Sequence, residues 1–154
     1  MTKILGSYIP QKGVTYIESR GRIFIDPSSG ANSGTIFDAR GADITIGKNV
    51  GIGYNCFFVT SYGSHYLEEV AMRRKLPIVV EDNAWIGFGA MIRGGVTIGR
   101  CSVVGMGAVV IKSVEPYHVA VGNPARDVGL RPDYTGFKRS ELEGTLPKVA
   151  RDNI

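Results

Sequence analysis

Cysteine and histidine are scarce in this 154-residue chain, with two of each. Cys56 and Cys101 cannot build a disulfide framework or a Cys-rich zinc site, and so few thiols suit a reducing, cytoplasmic setting. His65 and His118 leave no three-histidine metal site, and no Cys or carboxylate spacing supplies a third ligand, so no metal is expected. The longest apolar run, Val103 to Ile111, is interrupted by Gly105 and Gly107 and is too short for a membrane span. Met1 to Gly13 lacks the apolar stretch of a signal peptide, which predicts no secretion signal. No G-x-G-x-x-G occurs, and Gly41 to Lys48 departs from the P-loop spacing and is followed by Asn49, so a nucleotide-binding enzyme is not expected. The net charge of +4 is modest and no aromatic–basic motif accompanies it, which leaves no case for a nucleic-acid partner. The length suits one domain, residues 1–154.

Glycine is abundant. It contributes 21 residues, roughly twice average usage, without the strict every-third spacing of collagen. The backbone must therefore turn often and regularly, which favours β-structure over long helices. The pattern behind this has a period of six. From Ile46, every sixth residue is Ile46, Ile52 and Phe58 and, after an interruption, Val80, Ile86, Ile92, Ile98, Val104 and Val110. Four places after the large residue, except in the Phe58 hexad where the pattern breaks, stands a small or β-branched one: Val50, Cys56, Ala84, Ala90, Val96, Ser102, Ala108 and Val114. A repeat of six scatters such a row around a helix of 3.6 residues per turn. Short strands joined by tight corners at Gly or Asn instead stack each large residue about 4.8 Å over the next, as a ladder inside parallel coils.

The frame breaks in three places. Phe58 and Val80 are 22 residues apart, so about 61–76 must leave the wall as a protruding loop, a candidate working part. Upstream of Ile44 the repeat degenerates: Ile23, Ile25, Ile36 and Ala42 read as inward-facing, but Pro27 to Gly34 breaks the register and predicts an irregular first coil. Regular coils are expected over about 44–125. The remainder, about 127–154, reads as a short cap or a mobile tail in which Ser140-Glu-Leu-Glu143 starts at most one helical turn.

Three stretches then resemble a known family: Asp43 to Val50, Val80-Glu-Asp-Asn-Ala-Trp-Ile-Gly87 running on to Gly99, and Pro116 to Arg126 with its Val121-Gly-Asn-Pro-Ala125. Together they are similar to the left-handed parallel β-helix, hexapeptide-repeat acyltransferases, and most to sugar O-acetyltransferases of the galactoside, maltose and surface-polysaccharide type. The resemblance implies an all-β fold, a triangular prism with three hexads per coil. It further implies a homotrimer and an acetyl-CoA site in the cleft between subunits. Handedness comes only from the resemblance, since the general rule for parallel crossovers gives the opposite hand.

Acetyl transfer to an alcohol needs a base near neutral pKa, because a hydroxyl is a poor nucleophile until its proton is leaving. His65, in Thr60-Ser-Tyr-Gly-Ser-His65, resembles the family segment that carries the catalytic base. A cysteine nucleophile is the alternative, but Cys56 occupies a small inward position and Cys101 lies between Arg100 and Ser102 in another hexad, so both read as structural.

By position, the resemblance gives Trp85 the wall of the pantetheine channel, with a rim aromatic packing the loop as the other account. It gives Phe88 and Met106 main-chain contacts to the pantetheine, Met106 standing where the family usually has a small residue. Lys112 and Arg126 match cations near the CoA phosphates, and Arg131 lies close to a further family arginine. Asp38 either accepts a hydrogen bond from the sugar or stabilises a corner. Tyr66 replaces the acidic residue that often follows the base. Glu68 and Glu69 orient His65 or are merely hydrated, and Arg73-Arg-Lys75 meets an acidic glycan or the cofactor or is a solvated face. His118, the other histidine, reads as a second candidate base or as an exposed side chain near the cofactor.

The expected function is acetyl-CoA-dependent O-acetylation of a sugar hydroxyl, on a cell-surface polysaccharide or its precursor. A xenobiotic alcohol acceptor and a non-catalytic β-helix scaffold are the alternatives. A trimeric β-helix carbonic anhydrase fails for want of a third histidine, and a serine acetyltransferase for want of an N-terminal helical domain.

Overall fold

The computed structural model describes residues 8–62 and 74–131. Within them the chain winds as a parallel β-helix with three walls. The first wall stacks β1 (Thr15–Glu18), β4 (Ile36–Ala39), β7 (Phe57–Val59), β12 (Met91–Arg93) and β15 (Val109–Val110). The second stacks β2 (Ile23–Ile25), β5 (Ile44–Ile46), β10 (Ile78–Val80) and β13 (Thr97–Ile98). The third stacks β3 (Gly30–Ala31), β6 (Gly51–Ile52), β11 (Trp85–Ile86), β14 (Val103–Val104) and β16 (His118–Gly122). Every ladder between these coils is parallel.

The hexad ladder is the core. All nine large residues from Ile46 to Val110 are buried, and so are all eight small or β-branched partners from Val50 to Val114. Each large side chain so enclosed is worth roughly 1.5–3 kcal/mol. The corners repeat with the same period: Asn83, Gly89, Gly95, Cys101 and Gly107 all have positive φ. Asn and Gly tolerate this left-handed conformation best, which is why they recur there. Gly87 serves a different purpose. A Cβ on it would lie 2.6 Å from the Met106 main-chain nitrogen, so only glycine lets the next coil approach.

Coil length divides the prism. Ile23 pairs with Ile44 and Phe37 with Phe58, a step of 21 residues. Val79 pairs with Thr97 and Met91 with Val109, a step of 18. The additional residues of the early coils all sit at the corner from the first wall to the second, where nine residues separate Phe37 from Ile46 but six separate Ile92 from Ile98. The excursion after β7 leaves from this same corner. Its base is a two-stranded antiparallel ribbon, β8 (Ser61–Tyr62) against β9 (Arg74–Lys75).

Two expectations need correction. The first coils are regular, not irregular, and the inward residue of β4 is Phe37; Ile36 is half-buried on the outer side, in register with Phe57, and Ala42 is a half-buried corner residue. Phe37 belongs to an aromatic column that closes the prism. Tyr8 stacks on Tyr16 at 4.2 Å between ring centroids, Tyr16 on Phe37 at 5.7 Å and Phe37 on Phe58 at 4.8 Å. At the other end the chain beyond Ala125 forms a strand, β17 (Ala125–Leu130), antiparallel to β16 and joined to it through a cis Asn123–Pro124 bond. Residues 140–143 lie outside the described residues.

Candidate active site

The polar groups gather at the expanded corner and at the β16–β17 end. At the corner, buried Thr60 is the peg from which the ribbon departs. Its Oγ1 accepts from the main-chain N–H groups of Gly41 and Ala42, both at 3.1 Å, and donates to the carbonyl of Asp38 at 3.0 Å. Its own carbonyl receives the N–H of Leu76 where the chain returns, so both ends of the excursion are tied to one residue. Asp38 is 2% exposed. Its two carboxylate oxygens are taken by Arg40, whose Nε donates to Oδ1 at 2.9 Å and whose Nη2 donates to Oδ2 at 2.5 Å. The Arg40 main-chain N–H also donates to Oδ1. These bonds hold the carboxyl below the usual carboxylate range against the opposing effect of burial. Asp38 is thus held at the corner by Arg40.

His65, Tyr66, Glu68, Glu69 and Arg73 lie outside the described residues. What is described is the footing on which that segment stands.

Along the third wall, Trp85 lies over Gly51, where a Cβ would come within 2.8 Å of the indole ring. Phe88 meets Tyr54 edge to face at 5.5 Å, and its carbonyl accepts from Gly107 at 2.8 Å. Met106, 75% exposed, is the next rung after Phe88 at the same corner. All three are exposed apolar residues, and Gly51 and Gly53 leave room for the rings of Trp85 and Phe88 to lie against the coil below.

Lys112 and Arg126 come together at the far end. With Ser113, Val114, Ala120, Ala125 and Asp127 they line a hollow of about 130 Å³ between the last corner and the β16–β17 hairpin. Arg131 lies apart from it: its Nη1 donates to the carbonyl of Cys101 at 3.0 Å, and its main-chain N–H to Tyr117. His118 faces across the hairpin, its Nδ1 2.6 Å from Asp127 Oδ2. The N–H of Gly129 and then His118 hold the Asp127 carboxyl below its ordinary value.

Cys56 is enclosed with its Sγ 3.2 Å from the carbonyl of Gly87, and burial pushes its thiol up, away from the reactive thiolate. Cys101 is a buried corner residue at φ 57°. Neither is placed as a nucleophile.

Sequence reasoning missed Arg40 and Asp127. A faint signal existed for the first, since Asp-x-Arg at a turn lets the side chain meet its own backbone two residues on. None existed for Asp127, whose partner is set by the pairing of β16 and β17.

Residues 77–112 match the family model described as bacterial transferase hexapeptide (six repeats). The galactoside O-acetyltransferase of Escherichia coli K12 is 36% identical over 108 residues, covering 67% of this chain and 53% of that protein. The chain spans about half the length of the curated relatives it matches. Among solved structures, the maltose O-acetyltransferase of Clostridium difficile 630 superposes with a TM-score of 0.66 at 32% identity, over 82% of this chain and 68% of the other. A hexapeptide-repeat-containing acetyltransferase from Vibrio cholerae O1 biovar eltor, crystallised with acetyl-coenzyme A, superposes with a TM-score of 0.71 at 35% identity, over 82% and 70%. With its six-residue ladder, three parallel walls and this shared extent, the chain belongs to the hexapeptide-repeat acetyltransferases of the left-handed β-helix fold.

Proposed function

We propose that this chain transfers an acetyl group from acetyl-CoA to a sugar hydroxyl, on a cell-surface polysaccharide or its precursor, in the cytoplasm. The observation that carries the reading is the hollow that unites Lys112 and Arg126, two positions distant in sequence that the family resemblance assigns to the CoA phosphates. Two cations on a shaped surface suit phosphate oxygens, since charge-assisted hydrogen bonds to guanidinium and ammonium groups are the strong ones. The exposed apolar residues Trp85, Phe88 and Met106 suit an apolar thioester arm.

His65 is the general base of this mechanism. It takes the proton of the acceptor hydroxyl as that oxygen attacks the acetyl carbonyl carbon. The C–S bond then breaks, and His65 returns the proton to the departing thiolate, so atoms and charge balance without an acyl-enzyme. Main-chain N–H groups at the coil edges stabilise the oxyanion. Arg131 and the aromatic Tyr66 stand as further cofactor and acceptor contacts.

A second copy of the chain completes the cleft. The outer side of the first wall carries a file of apolar residues, Ile36, Phe57, Met91 and Val109, which another copy would cover in a homotrimer. Among the described residues no helix is long and apolar enough to cross a membrane.

The test is thiol release from acetyl-CoA with a panel of sugars. His65→Ala should lower the rate by about two to four orders of magnitude while acetyl-CoA still binds. A protein that neither binds acetyl-CoA nor loses turnover in this variant is a scaffold, and sedimentation as a monomer removes the shared cleft.

A further inference from the structure

The expanded corner gathers Arg20, Arg22, Arg40 and Lys75 around the acids Glu18, Asp38 and Asp43. Arg40 is 63% exposed, yet it is held by a carboxylate that is only 2% exposed. Burying a carboxylate is costly, and pairing it at best offsets the cost, so such a pair is weak evidence for stability. What the pairing does accomplish is orientation. With Nε and Nη2 committed to Asp38, the guanidinium cannot sweep its usual range of rotamers, although the side chain stays largely exposed.

Arg40 does not stand alone. The registers Glu18 with Ala39 and Ile23 with Ile44 place residues 19–22 beneath 40–43, so exposed Arg20 and half-buried Arg22 lie one coil below it. Exposed Lys75 lies at the base of the ribbon, paired with Ser61, which the β4–β7 register puts one coil above Arg40. Backbone bonds tie part of this corner together: Glu18 Oε1 accepts from the N–H of Ile23 at 2.7 Å, Asp43 Oδ1 accepts from that of Arg22 at 2.8 Å, and Arg22 Nη1 donates to the carbonyls of Ser19 and Gly21. The result is a group of cations along one edge of successive coils, whose strands are about 4.8 Å apart, running up to the point where the excursion bearing His65 leaves the wall.

We propose that this ridge is the acceptor subsite, that its ligand is a carboxylate-bearing glycan, and that Arg40, positioned by Asp38, is the residue that selects it. The inference rests on the sugar O-acetyltransferase reading above and names its substrate class. Repeating carboxylates match cations spaced along a prism edge, whereas a neutral sugar gains nothing from them. The cofactor's phosphates have their own cations in Lys112 and Arg126, which sit at the opposite end of the prism. The ridge therefore serves the acceptor.

The experiment compares acidic oligosaccharides, oligogalacturonate and oligosialate, with their carboxyl-reduced neutral forms, using the full chain and acetyl-CoA. The wild type should prefer at least one charged glycan over its neutral form by about tenfold or more in kcat/KM, and the preference should shrink as salt rises. Arg40→Gln should collapse that ratio towards one, chiefly through KM of the glycan, and Arg40→Lys should restore part of it. Because Arg40→Gln leaves the Asp38 carboxylate unpaired, Asp38→Asn combined with Arg40→Gln provides the same readout without a buried lone charge. Absence of any charged-over-neutral preference across the panel overturns the proposal, as does a variant that weakens acetyl-CoA instead of the glycan. A protein that acetylates neutral sugars equally well refutes the ridge alone, whereas failure to bind acetyl-CoA refutes the underlying activity.

Discussion

The two halves of the prism solve the same packing problem with different corners. In the later coils, 18 residues close a turn and every corner is tight. In the earlier coils, 21 residues close a turn, and the three additional ones bulge at a single edge. The interior hardly notices, because Phe37 and Phe58 stack as the isoleucines do. The edge notices a great deal: it acquires the Asp38–Arg40 pair, the Thr60 peg and the exit of the ribbon. A repeat that fills its interior with identical rungs leaves its corners open to insertion.

The interior of the early half should be the most sensitive part. Phe37→Ala should cost about 3–5 kcal/mol in denaturant unfolding, because it removes the middle of the aromatic column and leaves a cavity. Ile92→Ala in the later half should cost about 2–5 kcal/mol. If Phe37→Ala proves nearly neutral, the two halves are not equivalent inside.

Thr60→Val tests the enlarged edge alone. It keeps the shape and removes a hydroxyl that accepts from two N–H groups and donates to a carbonyl, so a loss of about 2–3 kcal/mol is expected. Hydrogen exchange should speed up at Gly41 and Ala42 but not at the amides of β12 or β15. Uniform loosening would mean that the edge and the later coils are one cooperative unit.

Acid stability separates the halves more finely. Asp38 has its carboxyl lowered in the folded state from the ordinary 3.8, first by Arg40. Its contribution is therefore present above that ordinary value and disappears as pH falls through the lower, folded one. Asp38→Asn should be less stable than the wild type at neutral pH, and the difference should narrow below about pH 4. A gap that persists unchanged at low pH would show that charge is not what Asp38 contributes.

The smallest effect belongs to the regular corners. Asn83 stands at φ 60°, so Asn83→Ala should cost about 1–2 kcal/mol and Asn83→Gly close to nothing. A larger loss with glycine would point to side-chain bonds beyond the backbone conformation.

The rungs of the ladder were legible in the sequence because burial there depends on spacing alone, and Ile46 to Val110 obey it without exception. The break in spacing after Phe58 was legible for the same reason, and the ribbon β8–β9 leaves the wall there. Ile36 was misread as inward because the early corner holds three more residues than the hexad frame assumes, and a strand offset by one residue exchanges its faces. The strand at Ala125–Leu130 escaped notice because an antiparallel return carries no hexad period. Arg40 escaped because an exposed arginine is ordinary until a buried carboxylate is seen holding it.

By itself the sequence determined the period, the residues of the interior and the membership in a repeat fold, since these follow from local spacing of large, small and turn-forming residues. Only the tertiary structure decided which corners stack over one another. Bringing Arg20, Arg40 and Lys75 onto one edge, or Lys112 and Arg126 around one hollow, depends on coil length summed over whole turns. Charges distant in sequence become neighbours only when the chain has closed each turn, and three added residues at one corner decide what they meet.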